Sequence, residues 1–229
     1  MLRLSTFKIA AAIFALALGA AILGSAPARA AGFPDPAVDA QLAAAPGSQT
    51  TVFSGGCFWG IQAVFEHVKG VIKATAGYSG GAAETAHYEM VSTGATGHAE
   101  SVEVVFDPSK ITYGQLLKVF FSVAHNPTEL NFQGPDEGTQ YRSAIWVADA
   151  EQERIAKAYI DQLDAAKTFD KKIVTQVTPL KAFYAAEGYH QDYLVHHPHQ
   201  PYIVFNDLPK LADLQKTWPD LYVAYSPAS

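Results

Sequence analysis

The chain is poor in sulfur. A single cysteine, Cys57, stands in 229 residues, so no internal disulfide can form and no cysteine-rich metal site can be completed. Methionine is nearly as rare, with Met90 the only one after the initiator. Positive charge is in short supply as well: 16 lysines and arginines face 22 aspartates and glutamates, a net charge of −6. With no basic run, that balance excludes a surface built for nucleic acid or for anionic membranes. Long apolar runs are missing beyond the N-terminus, and no repeat recurs.

The N-terminus is the exception. Arg3 and Lys8 precede the apolar stretch 9–23, and Ala28-Arg29-Ala30 offers an A-x-A cleavage site. Residues 1–30 are therefore expected as a signal peptide, cleaved near Ala30, and the mature protein as exported to a periplasm. Residues 9–28 carry no charge, so an uncleaved leader that anchors the chain in the membrane is the alternative. Exported proteins commonly pair their cysteines. This one has none to pair, and Cys57 becomes the feature to explain.

Residues 31–49 are rich in Ala, Pro and Gly and read as a linker or loose wrap. Residues 50–229 read as one domain. Strands are expected at 50–54, 71–78, 101–106, 143–148 and 172–179. A helix follows Gly55-Gly56-Cys57, with Ile61, Val64, Phe65 and Val68 at helical spacing. A second begins at a Thr112 cap, and a third spans 150–165 behind Asp149 and Gln152. The order to residue 148 is β-α-β-β-α-β, which predicts a split βαβ, ferredoxin-like α+β sandwich on a mixed or antiparallel sheet. The tail, 180–229, reads as an irregular wrap. Two long loops, 79–99 and 125–142, have the length of functional loops.

Cys57 sits where strand turns to helix. There the free N–H groups of the first turn and the helix dipole favour a thiolate. Position alone leaves a reactive thiol and an inert buried one equally open. The loops hold the possible helpers: Tyr88, His98 and Glu100 in the first, Asp136, Tyr141 and Arg142 in the second. His190, His196, His197 and His199 cluster in the tail, but their spacing fits no strong metal pattern, and no metal is expected.

Taken together, "GCFWG" (56–60), "GYSGG" (77–81), "GHAE" (97–100), "QGPDEGTQYRS" (133–143) and "YHQDYL" (189–194) resemble the peptide methionine sulfoxide reductase A family, over roughly residues 50–205. The resemblance implies Cys57 as nucleophile and Phe58 and Trp59 as the aromatic pocket for the substrate's S-methyl group. It implies Glu100 as the acid, Tyr88 and Tyr141 as phenolic donors to the sulfoxide oxygen, and Asp136 as a supporting carboxylate. It further implies a monomeric enzyme that reduces the S epimer of methionine sulfoxide, free or in oxidised proteins, without a cofactor. Two departures stand out. Gln62 occupies a position where the family commonly has glutamate, and the tail carries no further cysteine. A Cys57 sulfenic acid would then need an external thiol, of thioredoxin or glutaredoxin type or dithiothreitol in the test tube. Two other classes fit some of the same residues: a cysteine hydrolase using Cys57, His98 and Asp136 or Glu100, and a module that merely binds oxidised methionine.

Overall fold

The computed structural model describes residues 32–227; the expected leader, residues 1–30, lies outside them. In chain order the elements are β1 (Gln49–Ser54), α1 (Phe58–Glu66), β2 (Val71–Ser79), α2 (Tyr88–Val91), β3 (Ala99–Phe106), α3 (Tyr113–Val119), β4 (Phe132–Gln133), β5 (Asp136–Glu137), β6 (Ala144–Val147), α4 (Ala150–Ala165), β7 (Gln176–Pro179), β8 (Phe183–Ala185), α5 (Tyr193–His196) and α6 (Leu208–Thr217).

Apolar, β-branched strands place β1 and β3 at the centre of a six-stranded sheet ordered β7-β6-β1-β3-β2-β8. β3 runs antiparallel between β1 and β2, and β6 lies antiparallel on the other side of β1. This is the split βαβ order expected from the sequence, in an α+β fold. α4 then crosses over to bring β7 parallel to β6. The tail contributes more regular structure than expected: β8 adds an antiparallel edge beside β2, and α6 is a helix of 10 residues. β7 is shorter than expected, because Ile173 N–H goes to the Asp164 carboxylate (3.1 Å) and Val174 N–H to the Pro127 carbonyl (2.8 Å) instead of to a neighbouring strand.

The main core lies between the sheet and α1, α3 and α4, with Phe53, Phe65 and Phe120 stacked at its middle. The caps are built as the sequence predicts at two helices. Thr112 and Gln115 exchange both hydrogen bonds of a capping box at α3. Asp149 accepts from Gln152 N–H (2.8 Å) at α4, while the Gln152 side chain reaches one residue further, to Ala148 N–H (3.0 Å). The stretch read as a linker or loose wrap is fastened along residues 34–40. Asp35 pairs with Lys118, the Pro34 carbonyl accepts from Tyr159 (2.6 Å), and Asp39 accepts from Gly114 N–H (2.7 Å) at the start of α3.

Topology gathers the loops. β1 and β2 end, and β3 and β6 begin, at the same end of the sheet, since Phe53 faces Val102 and Ile145 while Tyr78 faces Glu100. The turn before Cys57 and both long loops therefore emerge side by side.

Candidate active site

Cys57 is the residue that caps α1, and it is nearly buried, 8% exposed. Gly56 makes the turn before it with φ of 100°, a backbone setting that favours glycine. A Cβ there would also come within 2.7 Å of the Gln133 side chain, so the second loop closes directly over the turn. One residue later, Phe58 N–H donates to the Glu100 carboxyl at 3.0 Å. Thiol and carboxyl are thus brought together by the first two residues of the helix start and the beginning of β3.

The two loops are tied to each other before they reach the thiol. Thr139 donates to the Gly94 carbonyl (3.0 Å) and Gln140 to the Ser92 carbonyl (3.2 Å). Arg142 donates to the carbonyls of Gly97 (2.9 Å) and His98 (3.2 Å). Glu187, from the tail, accepts from Tyr88 N–H (2.9 Å) and Tyr78 O–H (2.9 Å), fixing the start of α2. These ties hold Tyr88 and Tyr141 on one wall.

The result is a cavity of about 270 Å³ lined by Cys57, Phe58, Trp59, Tyr88, Glu100, Asp136 and Tyr141, with Gln200 and Tyr202 from the tail. All seven residues singled out from the sequence meet there. Gln200 and Tyr202 were not anticipated, because a half-buried tail tyrosine carries no motif that marks it. Tyr202 donates a short hydrogen bond to Asp136 and stands edge-on to Trp59. Trp59 stacks on Tyr193 with centroids 3.8 Å apart, and its N–H donates to Nδ1 of His190 (3.1 Å). The indole is therefore held on one face by Tyr193 and at its N–H by His190.

The electrostatics differ from the sequence expectation at one point. The Cys57 thiol is held well above its usual pKa, first by burial and then by the carboxyls of Glu100 and Asp207; the backbone N–H of Trp59 and the Lys210 ammonium oppose this only in part. The resting sulfur is a neutral thiol, not the thiolate that a helix start alone favours. Glu100 is pushed up to about 8, mainly by burial, with the Phe58 N–H pulling the other way and Asp136 and Asp207 adding to the rise. It is protonated at neutral pH. Asp136 is raised by burial against the opposing pull of Tyr202 and Lys210. Tyr88 and Tyr141 are raised by burial and by Glu100, so both phenols keep their protons as donors.

Other candidates fall away from the chemistry. Both ring nitrogens of His98 are engaged by backbone: Nδ1 accepts from Gly81 N–H (3.2 Å) and Nε2 faces the Ala82 carbonyl (2.9 Å). It does not line the cavity, which removes the base of the hydrolase reading. His190 is buried beside Trp59, while His196, His197 and His199 are exposed. Among the described residues no group of three His, Cys, Asp or Glu side chains is placed to hold a metal ion. Gln62 ties α1 to the tail: its amide donates to the Ala74 carbonyl (3.2 Å) and to Gln191 (3.2 Å), and accepts from Asp192 N–H (3.2 Å).

Known proteins show the same pattern. A family model described as peptide methionine sulfoxide reductase matches residues 49–222. Peptide methionine sulfoxide reductase MsrA 2 of Mesorhizobium japonicum is 64% identical over 179 residues, covering 78% of this chain and 92% of that protein. The protein of the same description from Synechocystis is 50% identical over 195 residues, covering 84% and 91%. The solved structure of methionine sulfoxide reductase A from Corynebacterium diphtheriae superposes with a TM-score of 0.58 at 35% identity, covering 74% of this chain and 89% of that one. With the motifs, the split βαβ sheet and this agreement over most of its length, the chain belongs to the peptide methionine sulfoxide reductase family.

Proposed function

We infer that the chain reduces methionine sulfoxide to methionine, with Cys57 as the nucleophile, in the repair of oxidised proteins or peptides. The observation that carries this is one cavity in which a buried thiol, a protonated carboxyl and two phenols face the same space. A sulfoxide sulfur is electrophilic, but its oxygen leaves poorly unless it is protonated. Glu100 holds a proton at neutral pH and can deliver it to that oxygen as sulfur is attacked. Tyr88 and Tyr141 donate hydrogen bonds to the same oxygen as its charge develops. Phe58 and Trp59 offer aromatic faces to the S-methyl group, which suits a sulfur that becomes sulfonium-like. Asp136, bonded to Tyr202, supports the wall between the loop and the tail.

In the balanced reaction, Cys57–SH and the sulfoxide yield methionine and Cys57–SOH. The sulfenic acid and one external thiol then give a mixed disulfide and water, and a second thiol restores Cys57–SH and releases an external disulfide. A thioredoxin-like or glutaredoxin-like protein suits the second half, because no other cysteine in the chain can resolve Cys57. Preference for the S epimer follows from the family resemblance. Export rests on the pattern of residues 1–30, and the mass of the mature protein from its native cell checks it.

The test is a single turnover. Reduced protein is mixed with excess N-acetylmethionine sulfoxide, as separated epimers and without reductant. One methionine released per Cys57, with one oxygen gained and trapped by dimedone, is the expected result. No methionine and an unmodified thiol would sink the reading, and turnover of an ester without reductant would replace it.

A further inference from the structure

Cys57 lines more than one cavity. Besides the space it shares with Glu100, Tyr88 and Tyr141, its side chain borders a second cavity of about 320 Å³. That space is bounded by Val123, His125, Asn126, Gln133, Asn206 and Lys210, among others. The two meet only at Cys57, Asp136 and Tyr202. None of the groups that face the substrate oxygen, Glu100, Tyr88 or Tyr141, lines the second one.

This division matters for the second half of the reaction. We propose that the reducing thiol reaches the sulfenic sulfur of Cys57 through this second cavity, while the substrate enters and leaves through the first. Displacement at sulfur is in line: the attacking sulfur comes from the side opposite the group that departs. The oxygen arrives from the substrate side, where Glu100 and the phenols sit, and it departs as water with a proton from Glu100. The attacking thiol therefore needs access from the other face of the sulfur. One sulfur–sulfur bond forms, one sulfur–oxygen bond breaks, and the thiol is oxidised as Cys57 is reduced. A second equivalent of the same thiol then completes the cycle by exchange.

The walls carry both acidic and basic side chains, Glu129 and Asp136 among the first and Lys210 the second. Lys210, 23% exposed at its side chain, presents an ammonium there, 3.1 Å from Asp207. His125 is held neutral, lowered to about 3 by burial, with its nitrogens turned to the Phe120 carbonyl and Ser143. It therefore does not compete as a proton source for the incoming sulfur. Asn206, in the π-helical turn Ile203–Asp207, is held only through a bond to the Tyr202 carbonyl (3.1 Å). A larger side chain there gives up only that one hydrogen bond.

This inference rests on the sulfoxide reductase reading, and one experiment separates the two. The full protein and its Asn206→Trp variant are first carried through one turnover with N-acetylmethionine sulfoxide, and methionine and the Cys57 mass are measured. Absence of the added oxygen in the wild type refutes the reductase reading itself. Where the sulfenic acid forms, its reduction by dithiothreitol, and separately by reduced thioredoxin, is timed. We expect Asn206→Trp to form the sulfenic acid normally and to slow its reduction on the order of tenfold or more. Slowing with dithiothreitol alone assigns the route to small thiols, slowing with thioredoxin alone to protein thiols. An unchanged rate with both overturns the proposal. Wild-type steady-state kinetics supply a check that needs no variant. Competitive inhibition of dithiothreitol by high sulfoxide means a shared entrance and overturns the proposal, while its absence supports two.

Discussion

The two walls of the substrate cavity are made differently. One grows from the sheet: Cys57 follows β1, Glu100 lies within β3, and both are almost fully buried. The other comes from the tail: Gln200 and Tyr202 are partly exposed and adjoin a π-helical turn. The sheet wall is fixed by ladder hydrogen bonds and a packed core, so it can hold a thiol and a carboxyl at constant separation. The tail wall lies outside the sheet and is tied to the second loop by the Tyr202–Asp136 hydrogen bond and to α1 by the packing of Tyr193 and Tyr202 on Trp59. The difference teaches a division of labour, in which the rigid wall carries bond-making and the tail wall adjusts charge and access.

If that is right, damage to the sheet wall costs most. Glu100→Gln keeps an acceptor for Phe58 N–H but removes the proton donor, and we expect a loss of about 10²–10⁴-fold in single-turnover methionine formation. The same change should stabilise the protein. The folded pKa of Glu100, about 8, lies above its free value of 4.5, so the folded state binds the proton more tightly. Stability from this group is therefore full at low pH and declines as pH rises from about 4.5 to about 8. Removing the ionisable group removes the decline, a gain on the order of a few kcal/mol at pH 8 and close to none at pH 4. Thermal melting of both proteins at the two pH values measures it. A variant that melts earlier at pH 8 would contradict the buried, raised carboxyl.

The state of the thiol comes next. Because burial and the carboxyls hold Cys57 well above its usual pKa, alkylation by iodoacetamide should keep rising with pH beyond about 9 instead of levelling near neutrality. A plateau below pH 7 would show a resting thiolate. The sheet wall would then activate sulfur before substrate arrives.

Tyr202→Phe tests the tail wall directly. It deletes the hydrogen bond to Asp136 while keeping the ring beside Trp59. We expect about a tenfold loss in methionine formation, since the bond supports a carboxyl that only helps shape the site. A loss as large as that of Glu100→Gln would erase the distinction between the walls.

Much of the sheet wall was legible in the sequence, and the reasons are local. The turn Gly55-Gly56 before a helical apolar pattern, the alternation of 101–106 and the caps at Thr112 and Asp149 each report nearest-neighbour physics, and each lies where it was expected. The tail was not legible, because its order depends on distant partners. β8 is three residues long and exists through pairing with Gly77–Ser79. Glu187 matters only because Tyr78 and the start of α2 face it. The raised pKa of Cys57 was missed for the same reason: the helix start is visible from spacing, but burial and the approach of Asp207 from α6's N-terminus are not.

The smallest expected effect on catalysis concerns Gln62. Its amide joins α1 to the tail by donating to the Ala74 carbonyl and to Gln191 while accepting from Asp192 N–H. Gln62→Glu would turn a carboxylate toward two oxygen acceptors, with one buried carbonyl left unpaired, at a cost of about 1–3 kcal/mol. Chemistry at Cys57 does not pass through that amide. The expected outcome is a lower melting temperature with a methionine burst unchanged within about twofold. A burst that falls while the melting temperature holds would place Gln62 in the electrostatics of the thiol, and would make the tie between α1 and the tail part of the reaction instead of its scaffold.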